Sequence, residues 1–170
     1  LTLIINSSFI ENTAVKLGGA FEIVKSKKIL VYKTKFDKNS AEDGGCIYVL
    51  DTNYVLLQNI SFTSNLARDS GGCLFADNAN DNVKDIITIV NCIFDSNTAS
   101  VSGTSVFVKM SDQLFLYGVN LTARSNTAST QISLKIRQAH FKTVKFSNIA
   151  LDKRQLDAFV AFSAILSDIV

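Results

Sequence analysis

Apolar positions along this chain come in short runs that return at a fixed interval, and the polar links between them repeat the same residues. The hexapeptide Phe9-Ile-Glu-Asn12-Thr-Ala14 recurs as Phe36-Asp-Lys-Asn39-Ser-Ala41, Phe62-Thr-Ser-Asn65-Leu-Ala67 and Phe94-Asp-Ser-Asn97-Thr-Ala99. A degenerate copy, Ala123-Arg-Ser-Asn126-Thr-Ala128, follows, and the period is about 27 residues with one copy lengthened to about 32. After the first three hexapeptides comes Gly18-Gly19-Ala20-Phe21, then Gly44-Gly45-Cys46-Ile47, then Gly71-Gly72-Cys73-Leu74, with a weaker copy at Ser102-Gly103-Thr104-Ser105-Val106. Apolar segments at Ile29 to Tyr32, Tyr54 to Leu57, Ile86 to Val90 and Leu114 to Tyr117 complete each period. Each period therefore predicts about three short strands separated by polar corners.

Equivalent strands lie a whole period apart and run in the same direction, so tight hairpins cannot pair them. Stacking period upon period pairs each strand with its own counterpart, about 4.8 Å away, which is a parallel β-helix. The arrangement predicts an inward aromatic column of Phe9, Phe36, Phe62 and Phe94, extended by Phe146, and a column of small side chains at Ala20, Cys46 and Cys73. Two aliphatic columns are expected, one of Ile29, Val55, Ile87 and Leu116 and one of Ile4, Val31, Leu57 and Ile89. Three residues before each hexapeptide stand Asn6, Asn59, Asn91 and Asn120, interrupted by Lys33. Their recurrence in step with the Phe column predicts an inward asparagine ladder, against the plainer reading that Asn merely tolerates a bend. The Gly pairs fit corners with positive φ or a close approach between coils, and lack the Lys and Thr order of a phosphate loop.

Composition agrees with an all-β chain: 47% of residues are hydrophobic, 19% are charged, and β-branched and aromatic types predominate among the apolar ones. With no Pro and eight Gly, Asn, Asp and Ser must form most corners. A net charge of +2, scattered along the chain, provides no basic stripe for nucleic acid. No apolar run approaches the roughly 20 residues of a membrane span, so no membrane contact is expected in this segment. Ordering about 27 backbones costs more than six to eight inward side chains return, so one coil alone is expected to be unfolded.

Because the repeat is under way in the first ten residues, the chain reads as an internal fragment of a longer protein. Residues 1-150 are expected to form the coils, with irregular ones at Ile132 to Ile136 and Phe141 to Phe146. Residues 151-170 fit either a further irregular coil, with a strand at Phe159 to Ile165, or a helical cap marked by Leu156, Phe159 and Val160.

The alternation of Phe-x-x-Asn with Gly-Gly-Ala or Gly-Gly-Cys resembles the repeat of the polymorphic outer membrane protein family, over roughly residues 1 to 130. Related repeats occur in large surface proteins with a pectin-lyase-like fold. The resemblance implies a right-handed single-stranded parallel β-helix, a solenoid exposed at a cell surface and acting in adhesion or as structure. This sequence departs from the pattern where Cys46 and Cys73 replace Ala and where the last copies lose a Gly or the Phe.

Little in the sequence points to catalysis. Asp37 and Asp95 occupy equivalent turn positions, Asp43 and Asp69 precede Gly pairs, and they read as solvated turn acids rather than the clustered carboxylates of a glycoside hydrolase. His140 is the only His and has no nucleophile or second His at a defined spacing, while Arg124 and Arg137 lack an acidic cluster that would hold calcium. No enzyme activity, cofactor or metal is expected. Stacked Cys46 and Cys73 are near enough for a bridge but should point alike, so buried thiols are expected, with Cys92 inward beside Phe94. The sequons at Asn6, Asn59 and Asn120 fall in the column assigned inward, and are therefore expected to be unmodified. The leading expectation is a non-enzymatic extracellular structural or adhesive scaffold whose long flat faces bind other surface proteins, further copies of itself in an assembly or filament, or glycans. The alternative is a carbohydrate-binding or carbohydrate-active pectin-lyase-like protein with its site outside this segment; exposed stacked aromatics would favour it, with Tyr32, Tyr48 and Tyr54 as candidates and Tyr48 the one expected to face out.

Overall fold

The computed structural model describes residues 1–78, 85–122 and 132–147. Within them the chain is all β, with no helix, and every strand pairing is parallel. The first repeat supplies β1 (Thr2–Ile5), β2 (Ser8–Ile10) and β3 (Phe21–Val24). The second supplies β4 (Ile29–Tyr32), β5 (Lys35–Asp37), β6 (Ser40–Ala41) and β7 (Ile47–Leu50), and the third β8 (Tyr54–Gln58), β9 (Ser61–Thr63), β10 (Leu66–Ala67) and β11 (Leu74–Asp77). The fourth begins with β12 (Ile86–Val90), β13 (Ile93–Asp95) and β14 (Thr98–Ala99); then two long strands follow, β15 (Val106–Thr122) and β16 (Ile132–Ser147).

Each strand lies beside its counterpart in the neighbouring repeat. The stacks are β1, β4, β8, β12; β2, β5, β9, β13; β3, β7, β11; and a separate three-stranded sheet of β6, β10, β14. Strand β15 covers the ends of the first three stacks in succession, and β16 lies along β15. The two-residue strands β6, β10 and β14 make four strands in a complete repeat where the sequence predicts about three. The lengthened repeat takes its extra residues between β11 and β12, which are separated by residues 78 to 85, where β7 and β8 are separated only by 51 to 53.

Alternation of burial along β4, β8 and β12 sends every second residue into the core. Ile29, Val55, Ile87 and Leu114 form one fully enclosed column, and Val31, Leu57, Ile89 and Leu116 the next. Phe9, Phe36, Phe62 and Phe94 stack with centroids 5.1, 5.0 and 4.7 Å apart and planes within about 11° of parallel. Leu121 follows in register with Phe94, and Phe146 with Leu121.

That register corrects the expected fifth copy. Leu121, two residues before Ala123, takes the position of the column Phe, which moves Leu116 into the second aliphatic column and puts Leu114 in the first. The hexapeptide Ala123 to Ala128 and the whole of residues 151-170, including Leu156, Phe159, Val160 and the segment to Ile165, lie outside the described residues.

Corners form where single residues adopt positive φ. One corner column consists of Asn6, Lys33, Asn59, Asn91 and Gly118 (φ 47 to 60°), and a second of Glu11, Lys38, Ser64 and Ser96 (φ 54 to 57°). A third is the first Gly of each pair, Gly18, Gly44, Gly71 and Gly103 (φ 58 to 69°). The second Gly has a different constraint: a Cβ on Gly19, Gly45 or Gly72 would strike the carbonyl oxygen of Gly45, Gly72 or Thr104 in the next repeat.

Candidate functional site

Two features combine polar chemistry with repetition, an amide ladder in the interior and an aromatic strip on the face opposite the core. The ladder is made by the Asn of the hexapeptide. The side-chain amide Nδ2 of Asn12 donates to Oδ1 of Asn39 (2.9 Å), that of Asn39 to Asn65 (3.0 Å), and that of Asn65 to Asn97 (2.9 Å). Each of those Oδ1 atoms also accepts the backbone N–H of the preceding Asn, at 3.1, 2.8 and 2.9 Å. The second amide proton of Asn39 and of Asn65 goes to the carbonyls of Phe9 and Phe36 at 3.0 and 3.1 Å, and the amide of Asn97 donates to the carbonyl of Phe62 at 3.0 Å. Asn39, Asn65 and Asn97 are buried, and the amides of Asn39 and Asn65 use both protons and the oxygen.

The Asn column expected to face inward does the opposite. Asn6, Asn59, Asn91 and Asn120 are all exposed. The first three sit at the positive-φ corner itself, and the inward position comes one residue later, at Thr34, Ile60, Cys92 and Val119. Asn120 lies outside that column altogether: it pairs with Ile93, and Gly118 holds the fifth corner. With this correction, the sequon residues Asn6, Asn59 and Asn120 are exposed rather than inward.

The three thiols are buried and free. Cys46 accepts no bridge to Cys73, whose thiol is pushed well above its ordinary range by burial and further by the Cys46 side chain. Burial pushes the Cys92 thiol up to about 12; it donates to the carbonyls of Val90 and Leu57 at 3.3 and 3.5 Å. The small-residue column continues from Ala20, Cys46 and Cys73 to Ser105.

Away from the core, Glu22, Tyr48, Phe75 and Phe107 stand in register on β3, β7, β11 and β15. The Tyr48 and Phe75 rings stack at 5.1 Å, and Phe75 and Phe107 follow at 4.8 Å. Tyr48 thus leaves the core side as expected yet is only 8% exposed, while Tyr32 and Tyr54 are half-buried. Asp43, Asp51 and Asp77 lie near Tyr48 in this strip. Lys109 pairs with Asp77 at 2.9 Å, and burial together with Asp77, Asp43, Glu22 and Asp51 raises the Tyr48 phenol above its usual range. Asp43 accepts from the Ser70 backbone N–H at 3.2 Å; burial, then Asp69 and Glu42, nevertheless hold its carboxyl above the ordinary range. Among the described residues no group of three His, Cys, Asp or Glu is placed to hold a metal ion. The sequence reading missed this strip because Glu22 opens it in the first repeat, whereas the in-step Tyr48, Phe75 and Phe107 could have revealed it.

Of the expected Asp residues, Asp37 pairs with Lys35 at 3.0 Å and is half-buried, and Asp95 accepts from Ser96 at 2.9 Å. Arg124 falls outside the described residues; His140 and Arg137 lie on β16, paired in backbone register with β15. Comparisons with protein-family models, curated proteins and solved structures return no match for the chain.

Proposed function

We propose that the chain is a section of right-handed parallel β-helix and acts as a non-enzymatic structural or adhesive scaffold of an extracellular, cell-surface protein. The observation that carries this reading is the common register: each strand's partners are its counterparts in the adjacent repeats, across four stacks, over an interior filled by columns of chemically like side chains. Right-handed crossovers are the near-universal solution for parallel strands joined in this way. A stack of this kind grows by repetition and presents long flat faces. The likeness of its repeat to that of polymorphic outer membrane proteins supports placing it at a cell surface, where other surface proteins, further copies or glycans would be its partners.

The carbohydrate-active alternative draws on the aromatic strip. Sugars stack on open ring faces, whereas Tyr48 and Phe75 lie face to face and Phe75 is 8% exposed, so their faces are used on one another. That geometry favours the scaffold.

Antibody fragments against the folded chain provide the test. They should label intact, unpermeabilised cells and block attachment to a surface or to neighbouring cells. Labelling only after permeabilisation, or release of a modified oligosaccharide by the purified full-length protein through residues of this segment, would contradict the proposal.

A further inference from the structure

The two recurrent Asn columns of this chain have opposite chemical fates, and the structure separates them. In the ladder column the residue two positions on is Ala41, Ala67 or Ala99, each with no exposed surface, so those Asn residues cannot be sequons without placing a hydroxyl in the core. In the corner column the residue two positions on is Ser8 or Ser61, on the strand facing away from Phe9 or Phe62. Asn6 and Asn59 are exposed, sit at φ 49 and 56°, and have no side-chain hydrogen bond among the described residues. Asn91, in the same column, lacks a hydroxyl two positions on and leans across Gly118, where a Cβ would strike its Oδ1.

We propose that Asn6 and Asn59 are N-glycosylation sites, modified on one corner of the stack. The inference rests on the extracellular placement proposed above. The donor would be an oligosaccharide linked to a lipid diphosphate. A bond forms between the Asn Nδ2 and the anomeric carbon, the glycosyl–oxygen bond to the diphosphate breaks, and the lipid diphosphate leaves while the amide gives up one proton; nothing is oxidised or reduced. After folding the fold accommodates both glycans, because each amide projects from a bend into solvent. The two sites are two repeats apart, roughly 10 Å along the stack. Sugar chains there would shield this corner from lateral packing and leave the other faces for partners.

The experiment uses the full-length protein purified from the cells that make it, after surface biotinylation of those intact cells. Peptides are treated with an amide-cleaving glycosidase in heavy-oxygen water, which marks each formerly glycosylated Asn as heavy Asp. Marked Asn6 and Asn59 are expected, with the Asn59 mark lost in Ser61→Ala. Grafting a sequon into the same corner with Lys33→Asn and Lys35→Ser should add one glycan mass. Biotinylated protein with bare Asn6 and Asn59 would overturn the glycan assignment and leave the surface reading intact. Marked Asn59 on protein that is never biotinylated would support the glycan site and overturn the surface placement. Protein neither biotinylated nor marked would overturn both.

Discussion

At the scale of single residues, the same side chain does different work at two corners of each repeat. Asn65 has an ordinary backbone and a buried amide with partners above and below, whereas Asn59 holds a positive-φ bend and projects its amide outward. Asn65→Ala should therefore orphan the buried N–H of Asn39 and one of its amide protons, each costing on the order of 1–3 kcal/mol, which urea unfolding would register. Asn59→Ala should cost only about 1 kcal/mol, through the left-handed backbone, and Asn59→Gly should restore it. Equal losses at both positions would remove the distinction. The location of the ladder was hidden in the sequence by a matter of parity. A position three residues before an inward Phe lies on the opposite face of a strand, while the Asn three residues after that Phe is turned back inside by the intervening positive-φ residue.

Asp43 makes a prediction about pH at the same scale. Its folded carboxyl titrates above the unfolded value of 3.8, so the folded state holds its proton more tightly than the unfolded state does. The carboxylate therefore opposes folding above that raised value, and the opposition fades as pH falls towards 3.8 and below. Asp43→Asn, which keeps an oxygen to accept from Ser70, should raise the melting temperature at neutral pH, with the gain shrinking as acid is added. A gain independent of pH would point away from the carboxylate.

Elements in this chain are short, and their register rather than their length gives them meaning. Strands β6, β10 and β14 have two residues each, too few to show a period in the sequence, and they are ordered by the ladder beside them and by the inward Ala41, Ala67 and Ala99. The aliphatic and aromatic segments were legible because each recurs with the same inward residues. The fifth repeat escapes the pattern because Leu121 stands in register with Phe94, while the Ser125-Asn126-Thr127-Ala128 run, displaced by two residues from that register, matches the hexapeptide better. The Gly pair shows how closely neighbouring repeats approach. Gly45→Ala directs a methyl at the carbonyls of Gly72 and Leu66, both backbone atoms of the next repeat, and should cost at least about 1–3 kcal/mol in chemical denaturation. An unchanged midpoint would mean that adjacent repeats are farther apart than described.

At the scale of the whole molecule, the described residues share one continuous core, and vertical columns build it. Phe36, Phe62 and Phe94 are enclosed, but Phe9, Phe21 and Ile23 at the first repeat are only partly buried, and Ile4 with them borders an open hollow of about 530 Å³. A repeat thus gains its burial from the one stacked upon it, as the β-helix scaffold proposed above requires. The open hollow at the first repeat and the filled interior of the later ones are both consequences of that stacking.

The most direct measurement is a set of proton–proton Overhauser contacts in protein with selectively labelled Phe and Asn. The stacking described here predicts ring contacts between Phe9 and Phe36, Phe36 and Phe62, and Phe62 and Phe94, none between Phe9 and Phe62, and slow-exchanging side-chain amides for Asn39 and Asn65. Absence of the sequential ring contacts, or α-proton to α-proton contacts of antiparallel pairing between β5 and β9, would contradict it.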